Sequence, residues 1–254
     1  MKRCMLLIGV VSLLLTNALG KDELASSIKR ILRQSSLTTD ISSVERQLVA
    51  CLDENSTSED RGLVYAAIAE AYGRDLQRHA MPAMRCAQIA LTNDLSVIDT
   101  CRQNLLLACA QTVLAGKGEN NGAVAVSECG RTLVRSLSYV LDHQSSEEDV
   151  SSKYVGKYDC GSSGLEEKAF EVRHEEEKKA RSSVLLQNKL AFFRDEFCWR
   201  LIELYGYGVL EDEMFKSVMD EARLTPKRKQ QVIACVKKAI QVKRTESAGR
   251  VDGK

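Results

Sequence analysis

The sequence predicts an all-α chain, and three features carry that prediction. Only two prolines occur in 254 residues, aromatic residues make up 5%, and apolar residues recur at three- and four-residue steps with few alternating β-branched runs. Lys and Arg number 36 against 35 for Asp and Glu, so no global charge imbalance directs the chain to nucleic acid or to a membrane.

The N-terminus reads as a targeting segment. Lys2 and Arg3 precede an apolar run over residues 5–15, and Ala18 and Gly20 stand where a signal peptidase needs small residues. That run is too short to span a bilayer as a helix. Residues 1–20 are therefore expected to be a cleaved signal, sending the product to the periplasm or the extracellular space. No later segment has the apolar length of a transmembrane helix, so the mature chain is expected to carry none.

Helical period then runs through most of the chain. Ser42-x-x-Glu45 opens a segment with Val44, Leu48 and Cys51 in line, and Ser56-x-x-Glu59 opens the next. Both are capping-box patterns, in which side chains satisfy amide donors that the first helical turn leaves unpaired. Tyr65, Ile68, Ala69 and Tyr72 then share one face until Gly73 offers a stop. In the following run Ala83, Cys86, Ala87, Ala90 and Leu91 align, and Pro82 falls near the first turn, where a missing amide costs nothing. Ser96-x-x-Asp99 starts a helix carrying Ile98, Cys101, Leu105, Ala108, Cys109 and Thr112. "GKGENNG" at 116–122 breaks it, and Val126, Cys129, Leu133, Leu137, Val140 and Leu141 mark the next.

The stretch "AIAEAYGRDLQRHAMPAMRCAQIAL" at 67–91 is similar to a tetratricopeptide-type helix pair, with Ala69 where the first helix meets its neighbour, Tyr72 one turn later, and Ala90-Leu91 closing the second helix. The family's usual tryptophan, interhelix glycine and closing proline are not matched. The whole chain is also similar to exported bacterial proteins of this type. The resemblance implies a short α-solenoid-like array over residues 21–143, each pair burying an apolar face on the next. The residues themselves leave open an irregular bundle without superhelical stacking.

Residues 144–164 turn to Ser, Gly and charge and read as a linker or long loop. Ser163-x-x-Glu166 caps a long segment whose first half is charged nearly all round, with Glu175 to Lys179 and Glu177 to Arg181 at the stabilising i, i+4 spacing. It becomes amphipathic through Leu186, Leu190, Phe193, Phe197, Leu201 and Leu204, until "YGYG" at 205–208 ends it. A short helix over 211–222 follows. Thr225-Pro226 then opens a last helix carrying Val232, Ile233, Val236 and Ile240, which completes a small C-terminal helical bundle over 165–245. Residues 246–254 are expected to form a disordered tail.

No constellation specifies a reaction. His79, His143 and His174 form no H-E-x-x-H pair, no Gly-x-Ser-x-Gly elbow occurs, and neither "GKGENNG" nor "GSSG" follows a strand. No metal, cofactor or enzymatic activity is expected. Cys4 lies in the signal, which leaves eight cysteines, an even count that suggests disulfides in an exported chain. A hairpin about residue 119 would set Cys109 beside Cys129, and a turn near residues 93–95 would do the same for Cys86 and Cys101. These are the two candidate bridges, set against the alternative that each cysteine is a small buried hydrophobe. No C-x-x-C pair occurs, which disfavours thiol-redox catalysis and a zinc ribbon.

Two surfaces are candidates for binding. Arg61, Glu70 and Arg74 lie off the apolar face of the first helix of the pair, on what would be its exposed side, where a peptide or partner helix could dock in a groove. The last helix is basic through Lys227, Arg228, Lys229, Lys237 and Lys238, with no acidic residue between Pro226 and Thr245, and could grip an anionic surface or an acidic partner. The expected function is a non-catalytic, exported protein–protein interaction module. The competing expectation is a structural spacer of the cell envelope, with the charged helix holding two bundles apart.

Overall fold

The computed structural model describes residues 22–35, 40–116, 122–144 and 166–248. The expected signal 1–20, the linker apart from Gln144 and the tail beyond Ala248 lie outside these residues. The described residues form nine α-helices and no strand: α1 (Asp22–Ser35), α2 (Ile41–Val49), α3 (Ser58–Gly73), α4 (Leu76–Leu91), α5 (Val97–Gly116), α6 (Gly122–His143), α7 (Glu166–Tyr205), α8 (Glu213–Glu221) and α9 (Pro226–Ala248). The all-α expectation holds. Helix α1 was not singled out above, although Leu24, Ile28, Ile31 and Leu32 carry the helical period; Ile28, Ile31 and Leu32 are buried.

Capping explains where the helices begin. Ser96 and Asp99 cap α5 as expected: the Asp99 amide donates to Ser96 Oγ at 3.1 Å. The Arg228 amide donates to Thr225 Oγ1 at 3.2 Å, so α9 also starts where its Thr-Pro pair predicts. The two earlier boxes are displaced. Asp40, and not Ser42, caps α2, its Oδ1 accepting from the Ser42 and Ser43 amides at 3.1 and 3.3 Å. Glu45 is thereby released to accept from the Tyr72 hydroxyl of α3. Thr57 caps α3 in a reciprocal box with Asp60, whose Oδ2 accepts the Thr57 amide at 2.9 Å. In each case an Asp or Thr one or two residues away offers the better acceptor geometry. Helix α4 breaks at His79 (φ −122°, ψ 23°), so Pro82 falls in the first turn of its second half, where no intrahelical bond needs its amide. Gly206 closes α7 at φ +80°, its amide donating to the Ile202 carbonyl at 2.8 Å.

Each helix from α1 to α6 packs on its successor. Helices α1 and α3, α3 and α5, and α5 and α7 also touch directly, two elements apart. Two main cores result. The first joins α1–α4 and one side of α5, around Leu48, Val64, Ile68, Ala83 and Leu106. The second joins the other side of α5 with α6–α9, around Leu133, Leu137, Phe197, Phe215 and Val236. Helix α3 is enclosed at the centre of the first. Gly62, Ala66, Ala67, Ala69, Ala71 and Gly73 are all buried, and the small side chains let four other helices approach its backbone.

Not every residue of the expected stripes points inward. Leu186 and Ile233 stand 36% and 41% exposed, at the edges of the buried faces of α7 and α9.

The close approach of α5 to α3 gives a stability prediction. A Cβ on Gly73 would lie 2.7 Å from Leu106 Cδ1, whereas one on Gly116 would meet nothing within 4 Å. Gly73→Ala is expected to lower the unfolding free energy by about 1–3 kcal/mol through overpacking. Gly116→Ala should be neutral or stabilising by up to about 1 kcal/mol, since it removes only glycine's backbone entropy. Urea unfolding of both variants measures the contrast.

Candidate functional site

The three polar residues expected to line a groove do not share a surface. Arg61 precedes Glu70 by nine residues, half a turn out of phase on a 3.6-residue helix. Arg61 is exposed, and its guanidinium donates to the Ser56 carbonyl at 3.1 Å. Arg74 instead ties the end of α1, donating to Ser35 Oγ at 2.9 Å and to the Leu32 carbonyl at 3.1 Å. Glu70 faces α5, where Arg102 lies 3.7 Å away and also pairs with Asp99 at 2.9 Å. Burial pushes the Glu70 carboxyl above its ordinary range, and the nearby charges of Arg102 and Arg74 only partly oppose it. Glu70 and Arg74 thus hold α3 to its neighbours. They face inward because α3 has helices on nearly every side.

The outward-opening site lies one helix pair further on. A cleft of about 370 Å³ runs between α5 and α6, lined by Asn104, Leu107, Glu128, Arg131, Thr132 and Arg135. The lining follows from helical spacing: Asn104 and Leu107 are three apart on α5, and residues 128, 131, 132 and 135 form one face of α6. The opposite side of α6, with Cys129, Leu133, Leu137 and Val140, is committed to the second core. Leu107 floors the cleft, only 7% exposed. Arg131 reaches across to Glu221 of α8 at 3.3 Å, Thr132 donates to the Glu128 carbonyl at 3.1 Å, and Arg135 is exposed. Further along α5, Gln111 is buried with its Oε1 lacking a hydrogen bond from the described residues, and the fully buried Gln103 lacks one at both amide atoms. The sequence period contained this polar face of α6, but nothing in it marked the face as the wall of a cleft. That depends on how far α5 stands off.

On α9 the five basic residues divide. Arg228 pairs with Asp142 at the end of α6, and Lys229 with Asp220 of α8 at 2.7 Å. Lys227, Lys237 and Lys238 are exposed. Further along, Lys243 Nζ sits 4.4 Å above the Trp199 ring, a cation–π contact that ties α9 to α7.

The candidate disulfides are not formed. Cys51, Cys86, Cys101, Cys109, Cys129, Cys198 and Cys235 are all thiols. Cys86 belongs to the first core and Cys101 to the second, on different sides of α5. Cys129 does meet α5 at the expected depth, but it meets Ala108 and Thr112. Its Sγ donates to the Ala108 carbonyl at 3.4 Å and lies 3.3 Å from Thr112 Oγ1, while Cys109 is turned about 100° further round the helix. Burial pushes the Cys86 and Cys129 thiols up to about 11 and Cys101 to about 12, and raises Cys198 as well. They behave as core hydrophobes. Among the described residues, no three His, Cys, Asp or Glu side chains gather where they could hold a metal ion, and no helix is long and apolar enough to cross a membrane.

Two measurements follow. Native protein at pH 8 should leave Cys86, Cys101, Cys129 and Cys198 unalkylated by iodoacetamide, with labelling only in denaturant, because these thiols are buried and protonated; a Cys109–Cys129 bridge seen by peptide mapping would contradict the packing. The raised Glu70 also has a pH signature. An acid with a higher pKa in the folded chain than in the unfolded one contributes relatively more stability at low pH and loses it as pH rises. Glu70→Gln should therefore gain stability relative to the parent between pH 4.5 and 7.5 in urea titrations.

No family model, curated protein or solved structure matches the chain.

Proposed function

We propose that the chain is an exported, non-catalytic interaction module that holds an acidic peptide segment of a protein partner in the α5–α6 cleft. The observation that carries this reading is the pair of arginines, Arg131 and Arg135, beside Asn104 over an apolar floor at Leu107. Guanidinium groups bind carboxylates through paired, charge-assisted hydrogen bonds, Asn104 offers an amide to a peptide backbone, and Leu107 gives apolar contact below. The groups present suit recognition. Thr132, the hydroxyl in the lining, spends its proton on the Glu128 carbonyl of its own helix.

A tetratricopeptide-like arrangement of helix pairs is part of this proposal. In such arrays the first helices of successive pairs touch each other as well as their own partners. Direct contact of α1 with α3, α3 with α5 and α5 with α7 follows that pattern. A structural spacer of the cell envelope is the second reading, and α7 favours it: 40 residues extend about 60 Å at 1.5 Å per residue.

Fluorescence anisotropy with short labelled Asp/Glu-rich peptides against a neutral Asn/Gln set tests the cleft. Arg135→Glu should weaken capture of a bound acidic peptide by about tenfold to a hundredfold, the range expected for losing a hydrogen bond to a charged group. Equal affinity before and after the change would remove the cleft from the function. An elongated profile in solution scattering with no peptide retained would favour the spacer.

A further inference from the structure

We propose that the outward face of α9 is a docking surface for an anionic lipid membrane, a role independent of the α5–α6 cleft. Lys227, Lys237, Lys238 and Arg244 are all exposed, and at 100° per residue they fall within one half of the helix circumference. No Asp or Glu occurs on α9 from 226 to 245, the stretch that carries these cations. The edges of the same half are apolar: Ile233 is 41% and Val242 47% exposed, and their separation of nine positions, half a turn out of phase, places one at each margin of the basic strip. A cationic strip with apolar margins is the composition of a helix that lies in the interface plane of a bilayer.

The opposite side of α9 fixes that face outward. Val232, Val236 and Ile240 enter the second core, Arg228 and Lys229 are held by Asp142 and Asp220, and Lys243 lies over Trp199. The helix does not have to fold on arrival, so docking costs little conformational entropy. The nearby exposed carboxylate of α7, Asp195, is engaged by Arg194 Nε at 2.9 Å, which blunts its repulsion of an anionic surface.

The shape of the face selects the occupant. It is the outer side of a single helix, 23 residues and about 35 Å long, with the α5–α6 cleft on other elements. A convex rod of spread charge matches a plane of fluid headgroups, whereas a peptide binds best in a concavity. Single-stranded nucleic acid would want aromatic side chains for base stacking, and this face has none; Trp199 is covered by Lys243.

Co-sedimentation of the full chain with phosphatidylcholine vesicles, with and without about 30% phosphatidylglycerol, tests the proposal, since an anionic surface attracts each cation that lies near it. The chain should pellet with the anionic vesicles and not with the neutral ones, and should be released by salt. Lys237→Glu with Lys238→Glu should lower the vesicle affinity by at least about 30-fold. The milder Lys237→Gln with Lys238→Gln should give a smaller loss, with helix content by circular dichroism unchanged in both. Arg135→Glu, in the cleft, should leave vesicle binding as it was, which separates this surface from the peptide site. Equal binding to neutral vesicles, binding that survives the double reversal, no binding at all, or competition won by polyglutamate or a DNA oligonucleotide would each overturn the proposal.

Discussion

Thinness of one helix governs the N-terminal half. For α1, α2, α4 and α5 all to reach α3, its side chains must be small around most of the circumference, and Gly62, Ala66, Ala67, Ala69, Ala71 and Gly73 make them so. Interhelical distance follows the side chains at the contact, and alanines and glycines bring axes toward the short end of the usual 8–10 Å. Alanine is also the best helix former, so most of these positions gain close approach without losing helicity. The glycines cost more, and they stand near the two ends of α3, where Leu95 and Leu106 come closest.

Small residues alone would leave the order of helices around α3 poorly defined, because alanine surfaces pack in many ways. Polar contacts supply the missing specificity. Tyr72 meets Glu45 of α2, Arg74 meets the end of α1, and Glu70 meets Arg102 of α5. Each joins α3 to a different neighbour. A buried carboxylate beside a guanidinium gains little net stability, since desolvation offsets most of the attraction, but a wrong packing would strand it unpaired. Two of the three residues that looked like an exposed binding set, Glu70 and Arg74, are thus pins of the assembly.

That reversal shows what could be read from the residues and what could not. The period of α5 through Cys101, Leu105 and Ala108, the Thr-Pro start of α9 and the end of α7 at Gly206 are local events, and local chemistry placed them well. Burial of Glu70 and Arg74 is not local. It follows from four helices closing round α3, and a single helix carries no record of how many neighbours it will have. The cleft failed for the same reason: Arg131 and Arg135 were plainly on a polar face, but a polar face becomes a wall only when a second helix stands opposite. The cysteine bridges failed on angle. Counting residues from the turn gave the correct depth for Cys129, yet Cys109 is one residue round the helix from the contact made by Ala108 and Thr112.

Helix α5 lies in both cores, with Leu106 and Leu107 in one and Cys101 and Ala108 in the other. Its two flanks are therefore completed at different moments as the chain is made. The flank facing α3 and α4 finds its neighbours already synthesised. The other must wait for α6 and then for Leu190, Phe193 and Phe197, which follow only after the long 145–165 segment has passed. During that interval a finished first half carries an uncovered apolar seam along α5, and the new chain is open to misassociation there until its second half arrives.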